Sequence, residues 1–238
     1  RTNKVGISPI CFSTETARKR IGNVSNRLAI GASYFVPHPY GILGGMLRIL
    51  GGQFRSRQLK TPPDNAVTRP WTGRARESVF NQLRGHINDG IVLDLFAGVG
   101  TMGLEAASRG AQTVVLVEQD YKVFNMLEAN IEKMQCEDRA TAMQADALSS
   151  LPLLRVPRPL DVAFIDPPYS MMENEAMRVR ILDQIARIEP LLDAEGLIVL
   201  RTPKNPNETD HSVEVLAGPE VHKEGLGMWV LYYGKKET

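Results

Sequence analysis

The sequence predicts an α/β fold in which a mostly parallel sheet presents a ligand site at the carboxyl ends of its strands. Glycines at 98, 100 and 103 form a G-x-G-x-x-G loop between an apolar run and a helical pattern, which lets a ligand approach the backbone. Farther on, the apolar run 162–165 leads into Asp166-Pro167-Pro168-Tyr169. This indicates a buried strand that ends abruptly, because proline cannot donate to a sheet ladder. Ligands of open α/β sheets bind at this edge.

Length and charge limit the classes of protein that the chain can represent. Its 238 residues suit one α/β domain with an appendage, and no apolar run approaches the roughly 20 residues of a membrane span. Residues 1–60 hold ten basic residues and one acid, whereas the remainder holds 18 basic and 26 acidic residues. A front end of +9 on a body of −8 indicates a segment that faces nucleic acid, a targeting segment, or both.

In residues 1–44 the apolar residues do not recur at the spacing of a helix or a strand, and the stretch is rich in Ser, Thr, Asn, Gly and basic residues. The chain begins at Arg, and this composition is typical of an organellar transit peptide; a disordered basic tail is the alternative. We therefore expect a leader at 1–44, a hairpin-and-helix extension at 45–89, and the main domain at 90–238.

The extension is predicted to contain a β-hairpin over 46–59, turning at Gly51-Gly52, and a helix over 73–83 capped by Thr72. Basic residues crowd into it, with aromatic residues among them. A solvated edge is the ordinary interpretation, and contact with a nucleic-acid backbone is the functional one. The basic residues of the extension are Arg48, Arg55, Arg57, Lys60, Arg69 and Arg76.

Three further acids are predicted at the ends of successive strands. Asp94 follows the apolar run 91–93, and with the apolar pair Phe96-Ala97 it disfavours a phosphate and favours a cationic ligand with an amino-acid head. Glu118 ends strand 113–117, at the spacing of an acid that binds ribose hydroxyls; an acid at a helix start is the alternative. Asp146 follows strand 140–144, where it could accept from an adenine amine or cap a helix.

The Asp-Pro-Pro-Tyr turn completes this set of strand ends. Asp166 and the Pro167 carbonyl can accept the hydrogens of a planar amine while Tyr169 stacks on its ring. A turn with a satisfied Asp and a surface Tyr is the ordinary alternative. The remaining pattern predicts helices over 122–134 and 176–192, a Pro/Leu-rich loop over 151–159, and strands over 197–200, 211–216 and 228–233.

Taken together, these motifs resemble the S-adenosylmethionine-dependent methyltransferases that modify exocyclic or amide nitrogens. From residue 46 onward the chain looks like the bacterial family that methylates guanine N2 in small-subunit ribosomal RNA. Trp71 and Gly73 stand where this family is expected to have smaller and polar residues. The motifs that carry the resemblance are Arg48-Ile49-Leu50-Gly51-Gly52, Arg69-Pro70, Arg76-Glu77-Ser78-Val79-Phe80-Asn81, Asp94-Leu95-Phe96-Ala97-Gly98 and Phe164-Ile165-Asp166-Pro167-Pro168-Tyr169.

The resemblance implies a Rossmann-like class I methyltransferase fold, with a mostly parallel sheet, an antiparallel last strand and a small N-terminal extension. S-adenosylmethionine would be the cofactor, with no metal, and the basic residues of the extension would grip RNA phosphates. Catalysis would fall to Asp166, Pro167, Pro168 and Tyr169. The cofactor would be held by Asp94, Phe96, Ala97, Gly98, Gly100, Glu118, Gln119, Asp146 and Ala147.

The resemblance also implies a partner and a compartment. The partner would be ribosomal RNA or a small-subunit particle, bound by a monomer without a membrane. The basic leader suggests the chloroplast stroma, with mitochondrion or cytoplasm as alternatives. Two other functions stay open: an adenine-N6 methyltransferase of DNA or RNA, and a non-catalytic RNA-binding assembly factor with the same fold. A nicotinamide dehydrogenase is disfavoured by the apolar Phe96-Ala97 loop.

Overall fold

A seven-stranded sheet organises the chain, seen in a computed structural model that describes residues 47–62 and 71–236. The strands lie in the order β3-β2-β1-β4-β5-β7-β6. The first five are parallel, and β7 runs antiparallel to both β5 and β6. The α/β class, the mostly parallel sheet and the antiparallel last strand are confirmed. The strands are β1 Ile91–Leu95, β2 Thr113–Glu118, β3 Ala140–Gln144, β4 Leu160–Ile165, β5 Leu192–Thr202, β6 Leu216–Gly225 and β7 Met228–Lys235.

Helices connect the parallel strands and cover the sheet. They are α1 Gly73–Gln82, α2 Thr101–Ser108, α3 Tyr121–Met134, α4 Leu151–Arg155, α5 Tyr169–Glu173 and α6 Glu175–Ile188, with a 3-10 helix at Glu189–Leu191. The strands β1, β2 and β4 are almost wholly buried, as is typical of parallel strands covered on both faces. Within the described ranges, no helix is long and apolar enough to cross a membrane.

Two of the helices begin directly after a residue whose side chain caps the first turn. The Thr72 hydroxyl accepts from the Ala75 N–H at 3.1 Å, so the predicted cap of α1 is confirmed. Asp120 caps α3 by accepting from the N–H groups of Lys122 and Val123. Each such bond satisfies a backbone N–H group of the first turn, which has no acceptor within the helix.

Two of the stretches after β3 have a different type of structure from the predicted one. The Pro/Leu-rich stretch contains α4 instead of a continuous loop. The predicted strand 211–216 is wrong, since β6 begins only at Leu216. His211 instead anchors the loop before β6: its carbonyl accepts from the Tyr233 hydroxyl at 2.8 Å, and its ring lies 3.3 Å from the Thr202 hydroxyl.

The N-terminal segment 47–62 is attached to the sheet-bearing body by buried polar side chains. Both carboxylate oxygens of Glu105, on α2, accept backbone N–H groups, from Leu50 at 2.7 Å and Gly51 at 2.8 Å. Gly52 has φ +75°, and a Cβ there would lie 1.8 Å from the Ser108 carbonyl oxygen, so only glycine allows this approach. The predicted hairpin is present but short: an antiparallel bridge joins Arg48 and Gln58, the Leu59 N–H donates to the Leu47 carbonyl at 2.8 Å, and the Ile49 N–H donates to the Arg57 carbonyl at 3.0 Å.

The segment also reaches α3. The Asn130 side chain accepts from the Lys60 N–H at 2.7 Å, and it donates to the carbonyls of Lys60 and Val99, each at 3.0 Å. Residues Met46–Thr238 accordingly form one compact unit. This unit contains both segment 47–62 and the sheet.

Candidate active site

Sheet register brings the functional side chains into one row. Leu95 of β1 pairs with Val117 of β2 and with Ile165 of β4, and Ile165 pairs with Leu200 of β5. One residue beyond this row come Glu118, Asp166 and Arg201. Parallel strands that end together therefore place two carboxylates and a guanidinium along the carboxyl edge of the sheet.

The glycine loop lies over this edge between β1 and α2. Gly98 and Gly100 have φ of +56° and +91°, and Phe96 also has a positive φ of +67°. A Cβ at Gly103 would lie 2.5 Å from Leu116, so glycine is needed there for close helix–strand packing. A Cβ at Gly98 would meet nothing within 4 Å. The loop thus has open space beside its first glycine, where a ligand could approach the backbone.

Asp94 lies within β1 and is only 1% exposed. Its Oδ2 accepts from the Gly103 N–H at 2.8 Å, whereas Oδ1 is buried without a hydrogen-bond partner among the described residues. Burial raises the pKa of Asp94 to about 8, with smaller contributions from the carboxylates of Asp166 and Glu118. An unsatisfied buried carboxylate oxygen is costly, and a cationic ligand would relieve that cost.

Glu118 closes the glycine loop against the end of β2. Its two oxygens accept from the N–H groups of Gly98 at 3.0 Å and Asp120 at 2.7 Å. The Ala97 N–H donates to the Val117 carbonyl at 2.8 Å, which fixes the same loop to the same strand. Glu118 therefore joins the glycine loop to the start of the loop that follows β2.

The residues that follow β3 continue the carboxyl edge of the sheet beyond β2. Asp146 is exposed, and its Oδ1 accepts from the Leu148 N–H at 2.9 Å. The neighbouring Ala147 is buried, and its carbonyl accepts from the Gln184 side chain at 2.8 Å. Gln119 is exposed next to Glu118. The β2 and β3 ends are adjacent, because the Ala145 N–H donates to the Glu118 carbonyl at 3.2 Å.

Asp166, the first residue after β4, is held by two side chains from other parts of the chain. Its Oδ2 accepts from the Trp71 indole N–H at 2.7 Å, and its Oδ1 accepts from the Arg201 Nε–H. The Arg201 guanidinium carbon lies 4.9 Å from the centre of a Trp71 ring and 5.2 Å from that of Tyr169. Burial raises the pKa of the Asp166 carboxyl, opposed by the Arg201 charge and the Trp71 hydrogen bond.

The rest of the Asp-Pro-Pro-Tyr turn starts a short helix. Tyr169 is the first residue of α5, and the Pro168 carbonyl accepts from the Met171 N–H at 2.9 Å. Pro167 is buried and Tyr169 half-buried. The turn thus holds an aromatic ring and a carboxylate at the carboxyl edge of the sheet, and the Asp166 N–H donates at 3.4 Å to the carbonyl of Leu95, which precedes the glycine loop.

The six basic residues predicted to contact RNA differ in their surroundings. Arg48, Arg55 and Lys60 are exposed. Arg57 is also exposed, with Nη1 donating to the Met134 carbonyl at 3.0 Å. Arg69 lies outside the described residues.

Arg76 requires a correction, because its side chain is buried and cannot face RNA. It is 3% exposed, its Nη1 donates to the Arg48 carbonyl at 2.9 Å, and Glu105 lies 3.7 Å away. Breaking a buried, paired charge costs several kcal/mol. Arg76 therefore helps to hold segment 47–62 on the body.

Trp71 and Arg201 were not predicted as site residues. Trp71 stood out only as a departure from the expected residue. Arg201 follows the apolar run 197–200, the same pattern of a charged residue after an apolar strand that identified Asp166. That signal was available, but its partner could not be known without the sheet register.

Comparison with known proteins places the chain among related sequences. The model of the family described as conserved hypothetical protein 95 matches residues 47–232. The chain is 40% identical over 125 residues to "Ribosomal RNA small subunit methyltransferase D" of Escherichia coli strain K12, covering 52% of this chain and 61% of that protein. It is 30% identical over 154 residues to "Putative rRNA methyltransferase YlbH" of Bacillus subtilis, covering 64% of this chain and 80% of that protein.

A solved structure is also similar. "Putative methyltransferase yhhF" from Escherichia coli is 29% identical, with a TM-score of 0.65, and the match covers 81% of this chain and all of that one. Together with the strand order, this similarity shows the class I methyltransferase fold.

Replacing Asp94 by Asn is expected to reduce the loss of stability on raising the pH. Because burial raises the pKa of Asp94 from 3.8 to about 8, the folded chain keeps a proton that the unfolded chain releases between these values. Wild-type stability should therefore fall across this range, by about 6 kcal/mol at most. Asn cannot ionise, so the variant gains relative to wild type from about pH 5 to about pH 8.5 in urea unfolding.

Asp183→Asn, at an exposed position of α6, is the matched control and should show the wild-type pH dependence. Parallel pH profiles for Asp94→Asn and wild type would mean that folding does not hold a proton on Asp94.

Proposed function

The chain belongs to the protein family described as conserved hypothetical protein 95, and from that premise we propose that it transfers a methyl group from S-adenosylmethionine to the exocyclic N2 amine of a guanine in small-subunit ribosomal RNA. The observation that carries this proposal is that Asp166-Pro167-Pro168-Tyr169 lies on the same sheet edge as the glycine loop. The relatives named as rRNA methyltransferases support an rRNA substrate. The substrate would be free RNA or the small-subunit particle, bound by a monomer.

The residues at the edge fit S-adenosylmethionine. The buried Oδ1 of Asp94, which has no hydrogen-bond partner among the described residues, would stabilise the positive charge of the methionine part, and the space beside Gly98 would admit a ligand to the backbone. Glu118 would bind the ribose hydroxyls, and Asp146 the adenine amine. Phe96, Ala97, Gly100, Gln119 and Ala147 would surround the cofactor.

When bound, the cofactor supplies a methyl group that is activated by a sulfonium. The chain's own residues would prepare the amine, which is a poor nucleophile because its lone pair is delocalised into the base. An ionised carboxylate has about four lone-pair sites, and Trp71 and Arg201 each donate to one oxygen of Asp166. Asp166 therefore retains capacity for an amine hydrogen, with the Pro167 carbonyl beside it. Holding the amine in this way would be catalysis by positioning and electrostatics.

A basic surface formed by Arg48, Arg55 and Lys60 would contact RNA phosphates. These side chains are exposed on the segment that Glu105 and Asn130 fix to the body. Arg57 would add charge while it donates to Met134. A base within a helix would have to leave its stack to reach Asp166.

We also propose the chloroplast stroma as the compartment, with mitochondrion or cytoplasm as alternatives. Support comes from residues 1–44, which are basic and hold a single acid, Glu15. A fluorescent protein preceded by residues 1–44 should enter plastids in plant cells. A mitochondrial or cytosolic signal would contradict the plastid assignment.

Methyl transfer from labelled S-adenosylmethionine to small-subunit ribosomal RNA or particles, followed by nucleoside analysis, should yield N2-methylguanosine. Asp166→Ala removes the acceptor for the amine and should lower the rate at least about a hundredfold. Asp138→Ala changes an exposed acid that only pairs with its neighbour Arg139, and it should keep the wild-type rate.

The product identifies the function. Methylated adenosine would replace the guanine-N2 proposal by the adenine-N6 alternative. Cofactor binding without transfer to any RNA would favour the non-catalytic assembly factor.

Replacing Arg48, Arg55 and Lys60 together by Gln should weaken RNA binding about equally for all RNA sequences. Each lost phosphate contact should flatten the plot of log affinity against log salt concentration by up to about 0.9. Binding assays over a range of salt concentrations measure this slope. Arg180→Gln, at an exposed position of α6, is the control. An unchanged slope in the triple variant would show that Arg48, Arg55 and Lys60 do not contact RNA phosphates.

A further inference from the structure

Asp166 is held by side chains that the proposed chemistry does not otherwise use. Resting on the proposed function, we propose that Trp71 and Arg201 are positioning residues, which fix the orientation and the charge of the Asp166 carboxylate for the incoming amine. We call Trp71, Asp166 and Arg201 the carboxylate clamp. Its three members come from the segment before α1, the residue after β4, and the end of β5.

The geometry of the clamp leaves the carboxylate little rotational freedom. One oxygen accepts from the Trp71 indole N–H at 2.7 Å, and the other accepts from the Arg201 Nε–H. The indole can only donate, and the guanidinium presents its donors in a rigid fork. Both side chains are only 5% exposed, so water cannot easily replace either bond.

Stacking holds the donors themselves in place. The Arg201 guanidinium lies within 5.2 Å of the ring centres of both Trp71 and Tyr169. Such cation–π contacts contribute more when they are removed from water. The aromatic ring of the Asp-Pro-Pro-Tyr turn is thereby linked to the same guanidinium that orients its carboxylate.

The charges around Asp166 explain why a cation is needed. Burial favours the neutral form of this carboxyl, and the Asp94 carboxyl on β1 interacts with it unfavourably when both are charged. Arg201 on β5 and the Trp71 N–H act in the opposite direction and lower the pKa of Asp166. Only the ionised form offers both oxygens as acceptors, so the clamp favours the form that can bind an amine hydrogen.

A purely structural role makes a different prediction from a positioning role. If the clamp only joined the segment before α1 to the ends of β4 and β5, its loss would lower activity by the same factor at every pH. If it positions and charges Asp166, removing the Arg201 charge raises the pKa of Asp166, and the ionised form is then reached only at higher pH.

The test compares pH profiles of methyl transfer for Arg201→Gln, Arg201→Lys and Trp71→Phe. Arg201→Gln should move the acid limb of kcat/KM upward by about one to three pH units. Trp71→Phe keeps an aromatic ring beside Arg201 but removes the donor, so its limb should move less, in the same direction. Arg201→Lys keeps the charge and loses the fork, so kcat should fall with a smaller shift of the limb. Calorimetric affinity for S-adenosylmethionine should stay within about twofold of wild type, because the clamp orients the amine acceptor and not the cofactor.

A second readout does not depend on activity. The chain has two tryptophans, so Trp229→Phe leaves Trp71 as the sole indole and is also the matched control for Trp71→Phe. In this background, Trp71 fluorescence should report protonation of its acceptor, with a midpoint that Arg201→Gln raises and a transition that Asp166→Asn abolishes. Arg187→Gln on α6, whose side chain bonds Gln184 and Ser150, should leave both readouts unchanged.

Two results would overturn the positioning role. Equal losses at every pH would reduce the clamp to a structural contact, and higher activity without Arg201 would make it an inhibitory one. Failure of the proposed function is distinguishable, because wild type would then methylate no RNA while the fluorescence titration still tested the hold of Arg201 on Asp166.

Discussion

Removal of two carboxylates from water at one sheet edge is the constraint on which the site depends. Asp94 lies within β1 and Asp166 follows the adjacent strand β4, and burial raises the pKa of both. The two carboxyl groups differ in their hydrogen-bond partners. Asp94 receives one backbone N–H and has an oxygen without a partner in the described structure, whereas Asp166 has a donor on each oxygen. The first arrangement suits a cationic ligand, and the second suits an acceptor that must stay ionised.

A second set of buried polar groups fixes the N-terminal segment relative to this edge. Glu105 accepts the N–H groups of Leu50 and Gly51, and Asn130 joins Lys60 to Val99 of the glycine loop. Buried polar groups of this kind are costly unless satisfied, so each fully bonded one specifies a single arrangement. The backbone that carries the exposed basic side chains of the segment is consequently fixed relative to the glycine loop.

The local sequence pattern predicted the parallel strands and the acids at their ends, because apolar runs, glycines and prolines act through neighbouring residues. The predictions were incomplete or wrong where a contact with a residue far along the chain determines the structure. The hairpin is present but shorter than predicted, because Leu50 and Gly51 donate to Glu105 and not across a ladder. Arg76 was assigned to the surface because its partner on α2 was unknown. Arg201 was overlooked because only the pairing of β4 with β5 brings it beside Asp166.

Trp71 shows how a departure from an expected motif can carry information. A small polar residue could donate a hydrogen bond to Asp166, but it could not also cover the Arg201 guanidinium. The indole does both, since its N–H reaches the carboxylate and its ring lies 4.9 Å from the guanidinium carbon. Arg201 then gains an apolar surrounding in which its charge acts on Asp166 with little screening by water. Trp71 and Arg201 therefore depend on each other, and a change in either alters the environment of the same carboxylate.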